Sequence, residues 1–131
     1  MGSMKLMGRP RTFDEVEVLR RATRLFGREG FDAASVDAIL AALEMNRASF
    51  YKIFGSKHGL ARAALRQVCE RALDHDVDSD SKDFVLISLL EMSNPDEELS
   101  HLITRATALC FSDDPTQIGQ HLLARFNRKK A

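Results

Sequence analysis

Residues 46–57, NRASFYKIFGSK, set three aromatic rings among an arginine, two lysines and several hydroxyls. On a helix turning about 100° per residue, Phe50 and Phe54 share one face, while Ala48, Ser49 and Lys52 stand broadly opposite. The two phenylalanines suit a core. Small Ala48 and Ser49 let a backbone approach a flat surface, Lys52 brings charge, and Arg47 and Tyr51 flank the inner face within reach of a neighbouring phosphate. Lys57 falls at the start of the next helix, where unpaired N–H groups and the positive dipole end favour an anion. This is the chemistry of duplex recognition, a helix in the major groove with phosphate contacts beside it. A solvated surface helix could share the same composition.

Such side chains need short helices to hold them. Thr12 and Glu15 form a capping box, and Val18, Leu19, Ala22, Leu25 and Phe26 recur behind it at helical spacing, up to Gly30. Ser35 caps a second helix with Val36, Ile39, Leu40 and Leu43 inward; Asn46 caps a third and Ser56 a fourth. The turn LEMN between the second and third has the length of a helix-turn-helix. Gly59 in the first turn of the fourth helix costs about 1 kcal/mol relative to Ala.

The following run, DHDVDSDSKD, reads as an acidic linker. As a calcium loop it fails, with Ser79 in place of the required Gly and Val85 in place of the bidentate Glu. Beyond it, residues 84–92 form an apolar helix. Asn94-Pro95 and Asp114-Pro115 each open another, with a cap residue followed by proline at the first helical position. His101 and His121 fall on separate helices and read as surface residues, because no third metal ligand is placed by spacing.

The 131 residues, 44% apolar and 29% charged, fit an all-α globular chain. Net charge is zero, but residues 1–75 hold 13 Lys and Arg against 9 Asp and Glu, and residues 76–131 hold 6 against 10. The basic half is the half with the aromatic stretch. Cys69 and Cys110 fit neither a metal spacing nor a disulfide framework, which points to a reduced, cytoplasmic setting. The longest apolar run, FVLISLL, is too short to span a bilayer. Neither a nucleophile elbow, a paired-carboxylate motif nor a phosphate-binding Gly loop is present, so no enzyme and no cofactor are expected.

From GRPRTFDEVEVLRRATRLFGREGF through SVDAILAALEMNRASFYKIFGSKHGL, the chain resembles the DNA-binding domain of TetR-family transcriptional regulators. Leu25-Phe26 with Gly30-Phe31, the helix opened by Ser35, and Tyr51-x-x-Phe54-x-x-Lys57 carry the resemblance. It implies that Arg47, Ala48, Ser49 and Lys52 face base edges or the groove, and that Ser35, Tyr51 and Lys57 contact phosphates. Gly8-Arg9-Pro10-Arg11 resembles the family's basic arm, with Arg9 and Arg11 along the minor groove or backbone. Glu44 stands where the family usually has Gly.

The resemblance further implies a helix-turn-helix domain at residues 8–75 and a shortened helical dimerisation domain at 76–131. In the latter, Leu102, Ala106, Ile118, Leu122 and Phe126 would form the dimer seam. The expected function is that of a homodimeric repressor on a palindromic operator. About 55 residues beyond the first domain leave little room for a small-molecule inducer. The alternative is a protein-interaction regulator that pairs with a full-length relative and alters its DNA binding.

Overall fold

A computed structural model describes residues 13–92 and 94–130. Seven helices account for most of them: α1 (Glu15–Glu29), α2 (Val36–Leu43), α3 (Arg47–Phe54), α4 (Lys57–Leu73), α5 (Ser79–Glu91), α6 (Glu97–Phe111) and α7 (Pro115–Lys130). Among the described residues there is no strand, and no helix is long and apolar enough to cross a membrane. The fold is all-α, as the residue pattern implies.

One hydrophobic core runs through the molecule, from Val18 and Leu19 of α1 to Cys110 and Phe111 of α6. Its centre is Phe26, fully buried and stacked on Phe84 of α5 with ring centroids 5.5 Å apart. Helix α5 lies along α1, while α4 packs on α6 and closes against α1. The α1–α5 approach is close because Gly27 has no side chain: a Cβ there would come within 2.9 Å of Asp83 Cβ. Packed in this way, α5 buries four consecutive apolar residues, Phe84, Val85, Leu86 and Ile87, which explains an apolar run without helical periodicity.

Two caps fall away from their expected places. Thr12 lies outside the described residues, and the cap of α1 is Asp14, whose carboxylate accepts from Glu17 N at 3.2 Å. Helix α6 is capped by Asp96 rather than Asn94, so Pro95 precedes the helix instead of opening it. Helix α7 does begin at Pro115, with Asp114 accepting from Thr116 N at 2.9 Å.

The acidic run is less of a linker than its composition suggests. Helix α5 starts inside it at Ser79, capped by Asp78. Four of its five carboxylates are engaged: Asp76 and Asp78 with nearby Arg71, Asp80 with Arg24, and buried Asp83 with α7. Burial pushes Asp78 up, but hydrogen bonds from Arg71 and Ser81 outweigh it and hold the carboxyl at about 2. Cys69 and Cys110 are buried thiols; desolvation raises both, Cys110 to about 11, which leaves neither a ready nucleophile.

Glu44 ends α2 in the left-handed region at φ 56° and ψ 46°. Its N–H reaches Ala41 O at 3.3 Å and Met45 N reaches Leu40 O at 3.1 Å, the two bonds of a Schellman turn. A side chain in that conformation costs about 1 to 2 kcal/mol. Glycine would remove this strain at an entropic cost of about 0.5 to 1 kcal/mol, and the exposed Arg21–Glu44 pair returns little. Glu44→Gly is therefore expected to raise the urea midpoint, by about 0.5 to 1 kcal/mol of stability. A lowered midpoint would mean that the Arg21 contact outweighs the backbone strain.

Candidate nucleic-acid interface

Three helix starts, those of α2, α3 and α4, are each fixed by their own cap. Ser35 Oγ accepts from Ala38 N at 3.0 Å, Asn46 Oδ1 from Ser49 N at 2.8 Å, and Ser56 Oγ from Gly59 N at 2.9 Å. The Ser35 hydroxyl proton is left over from this bond and is available to an acceptor in solution.

Helix α3 is anchored by Phe50, which is fully buried, with Phe54 half-buried 5.8 Å from it. Those anchors turn Ala48, Tyr51 and Lys52 outward, with Ser49 half-buried between them. The Tyr51 ring stands edge-on against Phe50 at 5.1 Å, which stiffens it, and its hydroxyl makes no hydrogen bond among the described residues. Lys52 likewise makes no ion pair among them. The outward set therefore combines a free phenol, a free ammonium and small residues that permit close approach.

Arg47 and Lys57 are less free than the sequence suggests. The Arg47 guanidinium is held by Asp37 of α2 at 2.5 Å, an exposed pair that a phosphate or base edge can displace at small cost. Lys57 is half-buried, with Nζ 4.5 Å from the centre of the Phe31 ring and 3.5 Å from the Asp32 carbonyl. Asp37 and Glu91, which contacts the Phe31–Asp32 backbone, were not apparent from sequence. They lie ten and about sixty positions from their partners, beyond any local spacing rule. Arg9 and Arg11 fall outside the described residues.

The residues assigned to a dimer seam are divided. Ala106 is closed inside the core, and Leu102 and Ile118 are half-buried against it. Leu122 and Phe126 are exposed, together with Leu123. His121 is not a surface residue: its Nε2 is 2.7 Å from Asp83 Oδ1 and its side chain is mostly covered.

This helix-turn-helix has relatives. Residues 18–64 match the family model described as bacterial regulatory proteins, tetR family. The chain is 36% identical over 64 residues to the uncharacterized HTH-type transcriptional regulator YezE of Bacillus subtilis, an alignment covering 49% of this chain and 33% of the relative. It is 40% identical over 63 residues to the HTH-type transcriptional repressor BdcR of Escherichia coli, covering 48% and 32%. With the E. coli repressor ComR the identity is 34% over 67 residues, covering 51% and 32%. These alignments thus span about a third of the curated relatives' own length. No solved structure gives a significant match. Residues 18–64 thus carry a helix-turn-helix similar to that of the tetR family of bacterial regulatory proteins.

Proposed function

We propose that the chain is a transcriptional repressor that binds a twofold-symmetric operator as a dimer, reading DNA with α3. The observation that carries this reading is the outward face of α3: Ala48, Tyr51 and Lys52 exposed together on a helix anchored by Phe50. Arg47, Ala48, Ser49 and Lys52 face the groove, and Ser35, Tyr51 and Lys57 meet phosphates on either side. Arg9 and Arg11 add minor-groove or backbone contacts. Residues 76–131 supply the dimer contact, with the exposed Leu122, Leu123 and Phe126 of α7 at its centre. Two reading helices then stand about 34 to 36 Å apart, one turn of DNA.

Selection of bound duplexes from a random pool tests both parts at once. A repeated, inverted half-site is expected. An unstructured pool, or a chain that sediments as a monomer with DNA bound, overturns the dimeric operator reading. Lys57→Ala is expected to weaken binding to all duplexes alike and to lower the slope of log K against log salt by about 0.9 per lost contact in each subunit. An unchanged slope would remove Lys57 from the interface.

A further inference from the structure

We infer that Glu91 is a positioning residue for the Lys57 phosphate contact, linking the end of α5 to the DNA-binding face. The inference deepens the proposed function and rests on it. Helix α1 stops at Gly30, at φ 90°, and leaves the N–H groups of Phe31 and Asp32 outside any helix. Glu91 Oε1 accepts from both, each at 2.8 Å. Charge-assisted bonds of this kind are stronger than neutral ones, so the two peptides are fixed in place.

The same two residues hold Lys57. Its Nζ lies over the Phe31 ring at 4.5 Å and near the Asp32 carbonyl at 3.5 Å. Phe31 is itself set between Phe26, at 5.2 Å, and the His58 ring, at 4.9 Å. Lys57 forms no ion pair with a carboxylate among the described residues, so its placement depends on this ring and this carbonyl. A lysine held beforehand loses less side-chain freedom on meeting a phosphate.

The location of Glu91 supports the argument independently. It is the last residue of α5, where the helix dipole disfavours a negative charge. A carboxylate there is accounted for by what it receives from across the interface. There is little room for a substitute arrangement, since a Cβ on Gly30 would lie 3.1 Å from Glu91 Oε2.

The test uses the full chain and its selected duplex, with binding followed over a range of salt. Glu91→Ala is expected to reduce affinity by about three- to tenfold at fixed salt and to lower the salt slope in the same direction as Lys57→Ala. The double variant should bind no worse than Lys57→Ala alone. Glu91→Gln retains an acceptor oxygen and should stay close to wild type. Proton spectra supply a readout that mere destabilisation would not give: the Lys57 ε-methylene, bonded to the Nζ that stands over the Phe31 ring, should be shifted upfield in wild type and Glu91→Gln and return to its ordinary position in Glu91→Ala.

A folded Glu91→Ala with the wild-type slope, or losses that multiply in the double variant, overturns the inference while leaving the proposed function standing. If Glu91→Ala does not fold, Glu91→Asp, one methylene shorter, takes its place. An unshifted Lys57 methylene in wild type overturns the inference without any variant. Wild type that binds no duplex overturns the proposed function itself.

Discussion

Asp83→Ala is expected to unfasten α7 and to cost about 3 to 5 kcal/mol, the usual loss when one member of a buried ion cluster is removed. The Asp83 side chain is only 4% exposed, and three groups of α7 converge on it: His121 Nε2 at 2.7 Å, Arg128 at 3.1 Å and Arg125 at 3.9 Å. Arg125 also donates to the Gly27 carbonyl at 2.8 Å, so the cluster joins α7 to both α1 and α5. Without the carboxylate, the largely covered His121 ring and Arg125 guanidinium lose their shared acceptor. The half-exposed Arg128 contributes least, because water already screens it. Urea unfolding gives the stability, and limited proteolysis should show cleavage in α7 before the rest of the chain. A loss below about 1 kcal/mol would mean that α7 is held by its apolar contacts instead.

Gly59→Ala should destabilise as well, against the direction that helix propensity gives. Within a helix, Ala is favoured over Gly by about 1 kcal/mol. Here a Cβ would lie 1.9 Å from the Phe54 carbonyl oxygen, a backbone atom that cannot turn aside. The corner between α3 and α4 must open, and the loss expected for such overpacking is about 1 to 3 kcal/mol or more. Because that corner carries both Phe54 and Lys57, DNA affinity should fall with stability. A variant of higher melting temperature would show that the corner relaxes freely.

Gly59 also marks where sequence reasoning stops. The sequence shows a glycine in a helix and its intrinsic cost, whereas the reason for it is a neighbouring helix end that only the fold brings close. The caps at Ser35, Asn46 and Ser56 were legible because each bond spans three residues. The start of α6 was misplaced because two caps compete there. Asp96 lets Glu97 and Glu98 occupy the first turn, where the helix dipole favours acids.

Long-range polar contacts were the largest gap. The acidic run appears as a solvated linker because two of its partners, Arg24 and His121, stand on helices distant in the chain. Likewise, nothing near Glu91 in sequence points to Phe31 and Asp32. The outward face of α3 was accessible to sequence reading for the opposite reason: its direction follows from Phe50 and Phe54 on the same short helix.

The close approach at Gly27 has a consequence for operator geometry. With α5 laid directly on α1, and α7 tied to α5 through Asp83 and to α1 through the Arg125 bond to Gly27, the described helices between the proposed dimer seam and the helix-turn-helix pack directly on one another. Such a dimer would be a ruler of fixed length. One base pair inserted between half-sites moves the second by about 3.4 Å and turns it by about 35° around the duplex axis. A flexibly jointed protein could follow that turn; this one would have to bend the DNA or give up one of its two half-sites.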